Sequence, residues 1–171
     1  MKIVIPLEPH TAGRPRFSAR TGRVTRTVMD QGYRKWRLKF DDWFEQYLNE
    51  THDELLNFLT AMDDGRPIRN EVTGKLLSDF NGYIVTVLCV LKRPKGNVRA
   101  FPIATTTADL DNLYKAVTDG IFESKPFKTI GINDRWIQAI HATKRYTALG
   151  TDEKPHIEVE IQKIELGGPV C

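Results

Sequence analysis

The sequence has little of what disulfide frameworks and zinc sites require. Its 171 residues include two cysteines and four histidines. Cys89 lies inside the apolar run 84–91 and Cys171 is the last residue, so the two do not form a disulfide framework. The histidines lack the spacing of metal ligands, which argues against zinc. We expect Cys89 to be a small hydrophobic residue of the core.

Glycine-rich loops and long apolar segments are also missing. The glycines stand singly, which argues against a P-loop and predicts no nucleotide cofactor. No stretch approaches the roughly 18 apolar residues of a membrane helix, and residues 1–6 are too short for a signal-peptide core. With a mean hydropathy of −0.39, the chain is predicted to be soluble and cytoplasmic, with no membrane partner. We expect one domain over residues 1–166 and a frayed tail at 167–171.

The formal net charge is +3, but the charges are unevenly distributed. Arginine and lysine dominate residues 1–40, whereas acidic residues dominate 41–81. Residues 10–29 show no hydrophobic period and many turn formers, which predicts a mobile loop along the phosphates of a polyanion. A solvated loop without a ligand is the alternative. The candidate DNA contacts are four arginines of this loop and a second basic group: Arg14, Arg16, Arg20, Arg23, Lys92, Arg93 and Lys95.

Hydrophobic periodicity predicts both strands and helices. An aromatic stripe marks a helix over 30–50, residues 51–54 have the capping-box spacing of a second helix start, and 63–82 is predicted to be exposed and irregular. The predicted strands are Ile3–Leu7, the central buried Tyr83–Leu91, Trp136–Thr143 and Ile157–Gln162. This order predicts an α+β two-layer sandwich, in which helices pack on a mixed sheet of about four strands.

A further helix with one apolar stripe is predicted after residue 109. Its apolar residues recur at helical spacing: Leu110, Leu113, Val117 and Ile121. Asp111 and Lys115 are i, i+4 neighbours, and an ion pair between them is one role for the lysine. Asp109 precedes the helix, and its carboxylate can converge with that of Asp111 only from a non-helical entry.

A third carboxylate, that of Asp134, lies just before the strand predicted at Trp136. Three carboxylates with a nearby lysine make a hard oxygen site suited to Mg²⁺ or Mn²⁺. The competing interpretation is structural. In it, Asp109 and Asp111 cap a helix, and Asp134 is an ordinary turn residue.

The run from Asp109 to Ala116, Asp-Leu-Asp-Asn-Leu-Tyr-Lys-Ala, followed by Asp134 at the start of a strand, resembles the RusA-type Holliday junction resolvases. The resemblance spans residues 80–165, with a weaker echo at 3–7 and 13–17. The family's second motif is usually Asp-Asp, whereas here Asn133 takes the place of the first acid. The family core is smaller than this chain, so residues 51–82 are predicted to be an insertion.

The resemblance implies a Mg²⁺-dependent endodeoxyribonuclease that resolves four-way DNA junctions by paired, symmetric phosphodiester hydrolysis in recombination and repair. It assigns metal binding and catalysis to Asp109, Asp111 and Asp134, adds Lys115 to the catalytic residues, and gives a supporting role to Asn112 and Asn133.

A four-way junction is close to two-fold symmetric and needs two nicks, so we expect a homodimer. Its candidate surfaces are an edge strand at Ile157–Ile161 and the helix after Asp109. Two other functions stay open at this point. One is a Mn²⁺-dependent glycosyltransferase with an Asp-x-Asp motif, and the other is a DNA-binding accessory protein whose carboxylates are only helix caps.

Overall fold

A computed structural model describes residues 1–13, 16–18, 26–28, 30–64, 66–77, 82–103 and 108–164. The tail predicted at 167–171 lies outside these residues. The elements, in chain order, are β1 (Lys2–Ile5), β2 (Arg16–Ser18), β3 (Arg26–Val28), α1 (Gln31–Leu59), β4 (Met62–Asp63), β5 (Arg66–Pro67), β6 (Gly82–Leu91), α2 (Leu110–Phe122), α3 (Lys125–Ile130), a 3-10 helix (Asp134–Trp136), β7 (Ile137–Tyr146) and β8 (His156–Ile164).

The main sheet has four strands in the order β1-β8-β6-β7. Strand β8 pairs antiparallel with both β1 and β6, whereas β6 and β7 run parallel. The sheet is therefore mixed, and β6 is the central strand that the sequence predicts. The predicted α+β class with about four strands is confirmed. No helix in the described part of the chain is both long and apolar enough to cross a membrane.

One face of this sheet carries the hydrophobic core. Alternate residues of β6, from Tyr83 to Cys89, are fully buried, as are Ile157 and Ile161 of β8. They form one cluster with the apolar sides of α1 and α2. The intervening residues, such as Glu158, point to the other face and are more exposed. The architecture is thus two layers, with helices on one side of the sheet. Burial raises the pKa of the Cys89 thiol to about 12, in keeping with the core role predicted for it.

Helix α1 is continuous where the sequence predicts two helices. Asp30 caps it, because one carboxylate oxygen accepts hydrogen bonds from the backbone N–H groups of Gly32 (2.9 Å) and Tyr33 (3.1 Å). The second helix start predicted at Thr51 is wrong. The Thr51 hydroxyl donates to the carbonyl of Tyr47 at 2.8 Å, one turn back within the same helix, so it caps nothing.

The aromatic stripe of α1 is confirmed as core packing. Phe40 and Phe44 are fully buried, Tyr33 and Trp36 nearly so. Helix α2 approaches this stripe at Gly120, where an added Cβ would lie 2.7 Å from a ring carbon of Phe40. The absence of a side chain at that position lets the two helices pack closely.

Two segments predicted to be irregular contain short strands. Strands β2 and β3 pair antiparallel within residues 10–29, where the sequence predicts a mobile loop. Between 63 and 82, β4 pairs with β5, and a bridge joins Arg69 to the buried Leu76. Strands of two or three residues are too short to show a hydrophobic period, so the sequence did not predict these pairings.

Two further predictions about the carboxyl-terminal half need correction. Ile157–Ile161 is not at an edge of the sheet, because β8 lies between β1 and β6. The strand predicted to start at Trp136 begins at Ile137, since Trp136 belongs to the 3-10 helix. The sequence analysis also missed α3, a short helix that is followed by Gly131 in the left-handed conformation (φ 85°).

Candidate active site

The entry to α2 has the geometry that the sequence predicts. Asp109 is the residue before the helix and has extended backbone angles (φ −65°, ψ 141°). Its carboxylate makes no capping hydrogen bond to the helix, so the capping interpretation has no support at Asp109. Only its backbone carbonyl joins the helix, accepting from the N–H of Leu113 at 3.2 Å. The Asp109 carboxylate is exposed to solvent.

Two contacts from outside the helix fix this entry. The Lys144 ammonium, on β7, donates to the carbonyl of Ala108 at 2.5 Å. The backbone N–H of Ala12 donates to the carbonyl of Asn112 at 2.8 Å. The start of α2 is therefore tied to the sheet on one side and to the amino-terminal segment on the other. Asn112 takes part in this contact through its backbone carbonyl, and its supporting role in the site stays a prediction.

A cleft of about 520 Å³ opens between α2 and the start of β7. Helix α2 lines it with Asp111, Lys115 and Asp119, and the 3-10 helix adds Asp134. The first four residues of β7, 137–140, also line the cleft. The structure therefore brings two of the three predicted carboxylates and the predicted lysine to one open cavity. Asp109 does not line it.

A divalent cation fits these residues in part. Within the described ranges, no three or more His, Cys, Asp or Glu side chains are close enough to hold an ion, so the three-carboxylate set is not preformed there. Asp111 and Asp134 are both exposed, and neither carboxylate forms an ion pair with another described side chain. Mg²⁺ usually keeps several waters and takes one or two carboxylates together with substrate phosphate oxygens. Two free carboxylates on a solvent-filled cleft suit that kind of binding.

Lys115 is paired, but not with the residue that the sequence suggests. Its ammonium lies 3.5 Å from a carboxylate oxygen of Asp119, one turn further along α2. The ion pair considered with Asp111 is therefore not formed. Lys115 is 62% exposed, whereas the Asp119 side chain is only 16% exposed. Sequence reasoning missed Asp119, although its i+4 spacing from Lys115 was a usable signal.

Asp119 lies in a partly buried polar group between α2 and α1. Burial raises the pKa of Asp119, while the Lys115 ammonium acts in the opposite direction. Burial also raises the pKa of Tyr33 on α1, and the charge of Asp119 adds to that shift. Arg37 opposes both shifts and is itself held by Asp41, with an N–O distance of 2.8 Å. The charges of Lys115 and Arg37 thus both lower the pKa of Asp119, against the effect of burial.

The 3-10 helix that begins at Asp134 is capped by the preceding residue, Asn133. The Asn133 side-chain oxygen accepts from the backbone N–H of Arg135 at 3.0 Å and from its guanidinium at 3.3 Å. This caps the 3-10 helix that Asp134 begins. An amide oxygen can cap as a carboxylate does, so Asn133 supports the turn without adding a charge.

The comparison with known families bears directly on this cleft. A family model described as Endodeoxyribonuclease RusA matches residues 69–162. The match covers more than half of the chain and includes α2, the 3-10 helix and β7. The chain belongs to the RusA endodeoxyribonuclease family. A search of curated proteins found no match to it.

Family membership implies endodeoxyribonuclease activity and binding of branched DNA. All four predicted catalytic residues of this RusA-family chain, Asp109, Asp111, Lys115 and Asp134, lie within the matched range. The basic residues before 41 and the whole of α1 lie outside it. Of the predicted insertion, residues 51–68 lie outside the match and 69–82 inside.

The predicted DNA contacts of this RusA-family protein divide into three groups. Arg14, Arg20 and Arg23 lie outside the described residues, as does the side chain of Arg16. Lys92 and Lys95 are exposed after the end of β6.

Arg93, between them, is occupied by the protein itself. Its guanidinium donates to the carbonyls of Thr147 (2.8 Å), Asn97 (3.1 Å) and Arg99, and lies over the Tyr146 ring at 5.7 Å. These contacts fasten the loop after β6 to the segment after β7. Arg93 therefore has a structural role in this loop, and the DNA contact predicted for it stays a prediction.

Proposed function

We propose that the chain is a Mg²⁺-dependent endodeoxyribonuclease that resolves four-way DNA junctions by paired, symmetric hydrolysis of phosphodiester bonds. The observation that carries the proposal is the shared cleft. Asp111, at the start of α2, and Asp134, at the start of the 3-10 helix, open on it together with Lys115, within the range matched by the family. An enzyme of this kind acts where DNA is, so we propose a cytoplasmic location.

Asp111 and Asp134 are the proposed principal ligands of the ion, with Asp109 as the third. Mn²⁺, with similar ligand preferences, is the natural substitute. When bound, the ion supplies positive charge that polarises the scissile phosphate and lowers the pKa of a coordinated water. The protein contributes an open cavity in which waters and phosphate oxygens can complete the coordination.

Lys115 is the proposed cationic group of the site. Its exposed ammonium can reach a phosphate at the cleft, where it would offset the negative charge that develops during hydrolysis. Asn112 and Asn133 support the site by fixing the start of α2 and the turn before Asp134.

We propose that the DNA is held by the arginines of the amino-terminal segment, Arg14, Arg16, Arg20 and Arg23, and by Lys92 and Lys95. Each phosphate contact releases condensed counterions, so affinity should fall steeply with salt. Lys92 and Lys95 do not line the cleft, so we expect these cations to serve binding rather than hydrolysis.

Two nicks at one junction need two copies of the cleft, so we propose a homodimer. Because β8 is internal, the free edges of the main sheet are those of β1 and β7. Val4 on β1 is an exposed apolar residue (61%), and we take the β1 edge as a candidate for the dimer contact. Light scattering at micromolar concentration should report about twice 19.6 kDa. A monomer that remains so on a junction would contradict paired resolution.

The test of the function uses a labelled synthetic four-way junction and a linear duplex of the same sequence. The junction should acquire two symmetric nicks with Mg²⁺, none with EDTA, and the duplex should stay intact. Equal cutting of both substrates would contradict junction selectivity, and cutting in EDTA would contradict metal dependence. The glycosyltransferase alternative gains no support from the family match, and an accessory protein would leave both substrates uncut.

A further inference from the structure

Lys115 has a carboxylate one turn away on either side. Asp111 precedes it by four residues and Asp119 follows it by four, and all three line the same cleft. The lysine is paired with Asp119 at 3.5 Å. The carboxylate of Asp111 has no ion pair among the described residues. The choice between the two partners decides whether Asp111 is free for a cation.

Local helix energetics favour the opposite choice. In an isolated helix, an acid placed four residues before a lysine stabilises more than one placed four residues after it. That rule favours the pair Asp111–Lys115. The observed pair with Asp119 must therefore come from the tertiary structure.

Burial explains the reversal. The Asp119 side chain is 16% exposed, whereas Asp111 is open to solvent. An ion pair with a partly buried carboxylate is strengthened by the lower local dielectric constant, and an unpaired charge there is costly. The charge of Arg37, on α1, also favours an ionised Asp119, since it lowers the pKa of that carboxyl.

We propose that Asp119 is a positioning residue that holds the Lys115 ammonium away from Asp111, so that the Asp111 carboxylate stays free for a divalent cation. The proposal rests on the proposed function, because it takes Asp111 as a ligand. Without Asp119, Lys115 turns back to Asp111 and competes with the cation. Asp119 touches neither substrate nor ion in this role.

The test is a double-mutant cycle read out by Mn²⁺ binding without DNA, measured by electron paramagnetic resonance of free Mn²⁺. The four proteins are wild type, Asp119→Asn, Lys115→Met and the double variant. Asp119→Asn should raise the Kd for Mn²⁺ by about twofold or more, the size of an i, i+4 ion pair. In the Lys115→Met background the same substitution should change the Kd much less, since no ammonium is left to compete.

An equal loss of affinity in both backgrounds would overturn the proposal, because Asp119 would then act by its own charge or as a ligand. An unchanged Kd in Asp119→Asn, or a wild type that binds no Mn²⁺, would overturn it as well. Circular dichroism checks that each variant is folded. If Asp119→Asn does not fold, Asp119→Ser takes its place in the same cycle.

Nicking of the junction provides a second readout. Asp119→Asn should lower the single-turnover rate by about 10-fold or more, because Lys115 is misplaced, while the Kd for junction DNA is unchanged. Glu123→Gln, which removes an exposed charge one turn further along, should keep the wild-type rate. If the wild type does not nick, the proposed function fails while the Mn²⁺ cycle still gives its answer. If it nicks and the cycle shows no coupling, only this inference fails.

Discussion

Arg93 has two possible roles, a contact with DNA and the fixing of a loop, and its substitution by alanine distinguishes them. The guanidinium donates three hydrogen bonds to backbone carbonyls. Hydrogen bonds from a charged donor contribute about 1.5 to 3 kcal/mol each when shielded from water. Arg93 is half-exposed, so we take about 1 kcal/mol per bond, which gives about 3 kcal/mol in total. For a chain of this length, that corresponds to a fall in Tm of about 6 to 12 °C.

Two assays decide the matter. Thermal and urea unfolding of Arg93→Ala should show the loss of stability, whereas the dependence of junction affinity on salt should keep its wild-type slope. The matched control is Lys92→Ala with Lys95→Ala, whose exposed ammonium groups make no hydrogen bond to the described residues. That double variant should keep its Tm and flatten the salt slope by roughly 0.9 per lost phosphate contact. An unchanged Tm in Arg93→Ala, with a flattened slope, would refute the structural role.

Two further predictions concern single side chains away from the cleft. In a Cys171→Ser variant, the remaining thiol of Cys89 should resist iodoacetamide at pH 8 while the protein is folded and should react on unfolding. The reason is that burial raises the pKa of the Cys89 thiol to about 12. Rapid labelling of the folded protein would contradict this. Glu153 accepts two hydrogen bonds from Arg145 and has a pKa lowered to about 2. Because the pKa is lowered, the stabilisation contributed by the Glu153 carboxylate is present above pH 4.5 and is lost as the pH falls towards 2. In acid denaturation, the stability difference between wild type and Glu153→Gln should therefore shrink between these two pH values.

Local patterns in the sequence predicted the elements that a periodic apolar face defines. The stripe of α2 is an example, since Leu113, Val117 and Ile121 are buried as their spacing indicates. Such a face needs only the chain within a few turns of itself to be recognised. The same holds for the non-helical entry at Asp109.

Neighbour relations between distant segments are not contained in such patterns. The alternation in β8 identifies a strand but does not say that β1 pairs on one side of it and β6 on the other. The prediction of an edge strand failed for that reason. Thr51 failed differently, because its hydroxyl can bond one turn back inside a helix as readily as it can cap a new one.

The candidate site contains features that local spacing predicts and one that depends on tertiary packing. Motif spacing predicted that Asp111, Lys115 and Asp134 belong together, and they share one cleft. The partner of Lys115 could not be predicted, since two carboxylates lie at equal sequence distance from it. Burial against α1 decides between them, and burial depends on how α2 packs in the folded chain.

The most direct test of the central claim is the single-turnover rate of junction nicking by Asp111→Asn and Asp134→Asn. Each should lose at least about 100-fold in rate, as expected when a group that stabilises the transition state electrostatically is lost, while junction affinity and Tm stay near wild type. Asp152→Asn, which changes an exposed aspartate of the β7–β8 loop in the same way, should nick at the wild-type rate. Nicking near the wild-type rate by either cleft variant would contradict the assignment of that carboxylate to the active site.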